Sequence, residues 1–408
     1  MNKVLRTFAV AFLFQFLFSG YTSRTDDQNR FWLKVEAKDK FARSLIADQG
    51  FAIDYVGDDY VIVIGSDLER QRLEASGKLL VQFKLEQNKD FPSRDEAYHD
   101  YAEMTAELKA ITDANPEISQ MISIGKSTEN RDIWSVRISG NLETASTKPG
   151  IVFLGGHHAR EHLSVELPIA YIQTLINQYR AGDARIVRLV DNRDIHIIPA
   201  VNPDGLEFDS AGGNYKFWRK NRTLNGDGSY GVDLNRNYGY KWATGGSSAN
   251  PGSDTYHGPS AFSEPETKSI KTYIETHTNL TTLLSFHTFS ELILYPWGHT
   301  YDSIANARDR QAYVAMAKKM SEWNGYTPEQ SSDLYITSGD TTDWAYGEHG
   351  IFAFTFELDP KSQWQGGFYP GADVIKPVIA KNLEPVLYLI DRAENPYQDL
   401  DRHPYKPF

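Results

Sequence analysis

"GGHHAREHLS", residues 155–164, places three histidines, an arginine and a glutamate within one short stretch. It follows "GIVFL" (150–154), an apolar run of strand character, and leads into "VELPIAYIQTLINQYR" (165–180), which has helical periodicity. A strand that runs through two glycines into a helix is the joint of an α/β unit, and the C-terminal ends of such strands are where open α/β sheets bind ligands. The imidazoles and the carboxylate are therefore candidate metal ligands, and two incompatible assignments fit. In one, "HAREH" is a His-x-x-Glu-His pattern, with His158 and His162 on the metal and Glu161 as base. In the other, His158 and Glu161 are ligands, Arg160 faces substrate, and a third ligand comes from far along the chain. The first needs a continuous helix through His158 and His162, and Gly155 and Gly156 before it and Pro168 after it leave that helix short or kinked.

Outward from this joint, apolar runs alternate with helical patterns. "AYHDYAEMTAELKAITDANP" (97–116) is amphipathic and stops at Pro116, while "IWSVRIS", "IHIIPAVNPDG", "LTTLLSFH" and "IFAFTFEL" read as buried strands. The order predicts an α/β catalytic domain over residues 90–395, with a mixed parallel/antiparallel sheet covered by helices on both faces. The tail, 396–408, is polar and Pro-rich and is expected to pack loosely. Before this domain, residues 24–89 read as a separate small unit. "FWLKVEA" is a strand, "KFARSLIADQG" a helix ended by Gly50, "FAIDYVGDDYVIVIGS" two strands around a turn, "DLERQRLEASG" a helix and "KLLVQFK" a strand. Strand-helix-strand-strand-helix-strand is the split βαβ, ferredoxin-like α+β arrangement. "LEQNKDFPS" (85–93) is a polar linker open to cleavage.

The chain has 408 residues and a net charge of −12, which argues against nucleic acid as a partner because phosphate binding wants a basic face. Cysteine is absent, so any metal must sit on histidines and carboxylates. Residues 1–23 read as a signal peptide: Lys3 and Arg6 form a basic start, Thr7 to Phe18 an apolar core, and Ser19, Gly20 and Ser23 the small residues after it. The apolar run is short of the roughly 20 residues a transmembrane helix needs. Secretion is expected.

Downstream, "NPDG" (202–205), "WRKNR" (218–222), "DLNRNY" (233–238), "SFHTFSELILYPWG" (285–298), "SDLYITSGDTTDW" (332–344) and "FTFEL" (354–358) follow in order. Together with "HHAREH", this set resembles the zinc metallocarboxypeptidases of the carboxypeptidase A type, in particular the bacterial secreted carboxypeptidase T branch, over about Asp90 to Ala393. The resemblance implies one zinc ion held by His158, Glu161 and His287, with a fourth position for water. It implies Glu357 as the general base and Arg219 as the residue that stabilises the developing oxyanion. An ionised carboxylate in the apolar strand around Glu357 is expensive unless it is used or paired. By the same resemblance Asn235 and Arg236 clamp the substrate's terminal carboxylate, Arg160 lines the cleft, and Tyr335 closes over bound substrate. Leu294, Gly298, Gln330, Asp340 and Thr342 would line the side-chain pocket. Thr342 stands where strictly basic-specific relatives carry aspartate, and Asp340 two residues earlier, so a mixed preference for apolar and basic side chains is expected. His157 and His162 receive no role.

The implied activity is removal of single residues from peptide or protein C-termini by a secreted zymogen. Its N-terminal unit would be a propeptide inhibitor, cut off near residues 89/90 by an activating protease, and a monomer is expected. Calcium is a further candidate ion, with no choice among the acidic positions. The Gly/Ser-rich segment 243–254 is expected to be a flexible surface loop. A metalloendopeptidase using His162 would leave His287, Glu357 and the "NRN" arginine without tasks. A non-catalytic peptide binder would not need the full set of ligands and base. The intact carboxylate clamp also weighs against cell-wall peptides of unusual stereochemistry.

Overall fold

The computed structural model describes residues 30–84, 95, 97–211 and 215–402. The signal-peptide stretch, the cleavage point near 89/90 and the last six residues lie outside the described residues.

The first unit contains strands β1 (Arg30–Glu36), β2 (Ile53–Val56), β3 (Tyr60–Ser66) and β4 (Leu79–Lys84), with helices Lys40–Asp48 and Asp67–Ala75 between them. The sheet order is β2-β3-β1-β4 with antiparallel pairing throughout, the topology predicted from the sequence. Alternation decides its core: Leu33, Val35, Val61 and Val63 point inward against Ile46, Ala47 and Leu73 of the helices. Local signals fix the helix starts. Asp39 caps the first, and Ser66 with Glu69 forms a capping box on the second.

The larger unit is built on eight strands: β5 (Ser119–Lys126), β6 (Asp132–Ile138), β7 (Gly150–Leu154), β8 (Asp194–Ile198), β9 (Leu280–Thr288), β10 (Leu292–Tyr295), β11 (Thr327–Gln330) and β12 (Phe352–Leu358). Their order is β11-β10-β12-β9-β7-β8-β6-β5. The central four, β12, β9, β7 and β8, are parallel, and antiparallel pairs join them to the two edges. These central strands are buried on both faces, which is why they read as near-continuous apolar runs. Ile151, Phe153, Leu284, Phe286, Phe354 and Phe356 face a core closed by helices Leu163–Arg180, Ala307–Asn324 and Ile375–Arg392. Val152, Leu154, Leu283 and Ala353 face the opposite core, closed by helices Pro265–Thr276 and Thr341–His349.

Two expectations are corrected. The segment 243–254 is packed rather than free: the Gly246 carbonyl accepts from Arg236 Nε at 3.1 Å, its N–H donates to Asp48 of the small unit at 2.7 Å, and Asp254 is buried. Its glycines admit close backbone approach; a side chain at Gly246 would collide with the Ile336 carbonyl at 1.8 Å. The tail is also pinned as far as residue 402, through a short helix Gln398–Arg402. Asp399 pairs with Arg392 at 2.7 Å, Asp401 with Arg308 at 2.9 Å, and the Tyr397 hydroxyl donates to Asp309 at 2.7 Å. Charge pairing at polar positions, invisible to a hydropathy reading, holds it.

Candidate active site

After β7 the chain passes Gly155, where a Cβ would lie 2.3 Å from the Ser164 carbonyl and 2.6 Å from that of Pro199, so no larger residue fits. Residues 157–162 form turns, and the helix starts only at Leu163. His158 and His162 therefore do not share a helical face. His162 Nε2 instead sits 2.9 Å from Asp209, on the far side of the turn. His158 Nδ1 lies 2.7 Å from Glu161 Oε1, and His287 Nδ1, from the C-terminal end of β9, lies 2.9 Å from Glu161 Oε2. The two imidazole nitrogens face each other at 3.2 Å. Among the described residues this is the one His/carboxylate trio close enough to hold a metal.

The trio fits zinc. Tetrahedral bonds of 2.0–2.1 Å place ligand atoms about 3.3 Å apart, close to the spacings here. Two ring nitrogens and a carboxylate converging in a buried corner also match the donor set of an open catalytic site. Burial alone would raise Glu161, yet the His158 and His287 rings hold its carboxyl below the ordinary range. Burial likewise keeps His287 neutral by lowering its pKa, the state a ligand needs.

The ligands are themselves oriented by groups the sequence reading passed over. Asp233 Oδ1 lies 3.2 Å from His158 Nε2, and its Oδ2 accepts from Arg219 Nε and Nη2, each at 2.9 Å. Burial would raise Asp233, but Arg219 and then His158 hold it well below the usual carboxylate range. Ser285 stands two residues before His287 on the same face of β9, and its Oγ lies 3.1 Å from His287 Nε2. The signal for Asp233 was a charge between Val232 and Leu234; Ser285 had only its i−2 spacing.

Glu357 is the register partner of His287 on β12, so both project from the same face of the sheet. Burial and then the charge of Glu161 push its carboxyl well above the ordinary value. It lines a cleft of about 570 Å³ together with His158, Glu161, Arg219, Asn235, Arg236 and Tyr335. Leu294, Asp340 and Thr342 line the same cleft, and a side chain on Gly298 would approach Asp340 Oδ2 to 3.0 Å. Asp340 also caps helix Thr341–His349: Oδ1 accepts from the Asp343 N–H and the Thr342 hydroxyl, each at 2.8 Å, and Oδ2 from the Thr337 hydroxyl at 3.1 Å.

Three expected cleft residues lie outside its lining: Gly298, Gln330 and Arg160. The Gln330 amide is turned away to the carbonyls of Trp297, Thr300 and Asp302. Arg160 is fully buried under the small unit, with Nη2 on Asp54 and Nη1 3.6 Å from Asp254. Asp54 comes from β2 and, with Ile53, Tyr55 and Val56, forms part of the cleft's own lining. The Tyr335 hydroxyl donates to the Ile53 carbonyl at 3.3 Å. Asp54 was missed because contacts between separately read units leave no sequence pattern.

A mixed sheet with a parallel centre, a His/Glu/His trio at its strand ends, and a carboxylate and arginines around one cleft define a metallohydrolase-type site. The model of the zinc carboxypeptidase family matches residues 104–385, and the chain belongs to that family. It is a zinc metallocarboxypeptidase, a peptide hydrolase. It is 36% identical over 319 residues to a zinc carboxypeptidase of Saccharothrix mutabilis subsp. capreolus, covering 76% of this chain and 73% of the relative. It is 32% identical over 371 residues to zinc carboxypeptidase A 1 of Drosophila melanogaster, covering 84% and 85%. Among solved structures, carboxypeptidase A from Helicoverpa armigera superposes with a TM-score of 0.75 at 27% identity, over 90% of this chain and 98% of that one.

Proposed function

We propose that this chain is a secreted zymogen whose processed form removes single residues from peptide C-termini, with zinc on His158, Glu161 and His287. The observation that carries the reading is the placing of Glu357, Arg219, Asn235 and Arg236 around one cleft with that trio. Zinc, when bound, supplies a Lewis acid that acidifies water and polarises a carbonyl.

The chain's own residues do the rest. Glu357 takes a proton from the attacking water and later returns it to the leaving amine; its raised pKa suits a base that must also act as an acid. Arg219, held by Asp233, keeps a fixed positive charge beside the carbonyl oxygen. Asn235 and Arg236 receive the terminal carboxylate, for which a planar guanidinium is suited. An internal peptide would leave the Arg236 guanidinium without a carboxylate partner, which is why the site acts on chain ends. Asp340 gives the side-chain pocket an attraction for Lys and Arg beside its apolar wall of Leu294.

The small unit is read as the propeptide. Asp54 occupies Arg160, and Tyr335 is tied to Ile53, so substrate access requires its departure. The basic start and apolar run of residues 3–18 support export. The test is a peptide panel digested by the processed enzyme with and without a chelator, read by mass spectrometry. Single C-terminal residues released only without chelator are expected; internal cuts, or activity surviving chelation, refute the reading.

A further inference from the structure

His157 adjoins the metal ligand His158 and is buried without reaching the cleft. Its ring packs against that of His287, with centroids 5.5 Å apart and planes 19° from parallel. Its Nδ1 lies 3.4 Å from Ser285 Oγ, and its Nε2 lies 2.9 Å from the Tyr238 hydroxyl and 3.2 Å from Thr341 Oγ1. Thr341 in turn meets Asn235 Oδ1 twice, through its hydroxyl at 2.9 Å and its backbone N–H at 3.0 Å.

Donor direction along this path follows from one constraint. His287 turns Nδ1 toward His158 and Glu161, so a metal there takes Nδ1 and leaves the proton on Nε2. Nε2–H then donates to Ser285 Oγ, and the Ser285 hydroxyl donates onward to His157 Nδ1. With Nδ1 accepting, His157 carries its proton on Nε2 and shares it between the Tyr238 hydroxyl at 2.9 Å and Thr341 Oγ1 at 3.2 Å, while the Thr341 hydroxyl's own hydrogen goes to Asn235 Oδ1. The backbone N–H of Thr341 also donates to Asn235 Oδ1, so the amide is held by two donors of one residue, and the His157 contact bears on it through the seating of Thr341. Asn235 Oδ1 is thereby committed, and its Nδ2 donors remain for the cleft. The path begins on a metal ligand and ends on a carboxylate-binding amide.

We propose that His157 is a positioning residue that couples the metal site to the terminal-carboxylate clamp, supporting the His287 ring through Ser285 at one end and the seating of Thr341 beneath Asn235 at the other. This rests on reading His287 as a zinc ligand and Asn235 as part of the clamp. Deleting the middle of the path affects both ends, whereas deleting its far end affects the clamp alone.

The test measures zinc affinity of the full-length chain by competition with a chromogenic chelator, and kcat and KM of the chain processed after folding, on a blocked dipeptide. His157→Phe keeps a ring but removes both nitrogens. Zinc binding weakened about tenfold, the usual effect of losing a ligand's hydrogen-bonded support, together with a raised KM, is expected. Thr341→Val keeps its shape and loses only the hydroxyl, so KM rises about three- to tenfold with kcat and zinc affinity held, and Thr341→Ser restores it. Parental zinc affinity and KM in His157→Phe overturn the proposal. So does a Thr341→Ser variant as impaired as Thr341→Val, which would make the effect one of shape. A misfolded His157→Phe leaves the Thr341 pair to decide. Failure of the parent chain to bind zinc would instead strike the underlying site reading.

Discussion

Within six residues the chain uses three histidines in three ways. His158 joins the trio with Glu161 and His287, His157 bridges toward Asn235, and His162 turns to Asp209. Replacing His158 by alanine should abolish stoichiometric zinc, measured by metal analysis of the purified chain. His162→Ala should retain it while lowering stability by about 1–3 kcal/mol, because buried Asp209 loses a partner. Zinc loss in His162→Ala would falsify the ligand assignment. At Asp340, asparagine keeps the helix cap, since Asn and Asp cap about equally well, but removes the charge. For Asp340→Asn, kcat/KM on C-terminal Arg should drop on the order of tenfold, about 1.4 kcal/mol, with little change on C-terminal Leu. An equal effect on both would leave Asp340 as a cap only.

Among the elements, the helix Leu163–Arg180 is held at its ligand-bearing end by a charge cluster. His99 places Nδ1 2.8 Å from Glu166 on that helix and Nε2 2.9 Å from Glu107 on the helix Tyr101–Asp113. The hydrogen bond to Glu166, against the opposing effect of burial, pushes the imidazole up to about 9 from an ordinary value near 6.5. A raised folded-state pKa means that this stabilisation is complete below about pH 6.5 and is lost as pH rises through about 9. Solvent access to the pair limits it to the order of 1 kcal/mol. The thermal midpoint of the parent should therefore exceed that of His99→Gln at pH 6, with the gap closing by pH 10. A gap that stays constant across that range would remove the linkage.

On the scale of the whole molecule, the small unit is fastened by polar contacts and by aromatic packing of Trp32 on Trp364, Phe41 on Tyr301 and Tyr55 on Phe289. Arg30 pairs with Asp254 at 2.5 Å, Lys40 with Asp333 at 2.7 Å, Arg43 donates to the Leu334 carbonyl at 2.7 Å, and Asp54 meets Arg160 in the buried centre. Removing one partner of a buried ion pair costs about 3–5 kcal/mol. Uncleaved Asp54→Asn chain should accordingly hydrolyse small peptides faster than the uncleaved parent, and cleavage in the linker should bring the two to the same rate. Equal rates before cleavage would show that Asp54 does not hold the cover.

Periodicity and spacing carried much of this protein openly. The small unit's six elements, the parallel core strands and the seven ordered motifs are legible because side-chain alternation and turn chemistry are local. The fate of "GGHHAREHLS" was only half legible: glycines argued against a helix, but which imidazoles converge depends on β9 lying beside β7, a pairing across more than a hundred residues. Asp233 and Ser285 stood inside quoted motifs and Asp54 outside any, but the tasks of Asp233 and Asp54 depend on partners remote in sequence or seated on another unit. The burial of Arg160 and the anchoring of segment 243–254 likewise came only with the docking of the two units. The sequence by itself determined the elements and the chemistry available, because both are properties of residues and their near neighbours. Only the tertiary structure decided which groups share a site and in which direction their hydrogen bonds run, because those are set by distances between segments that the chain alone leaves free.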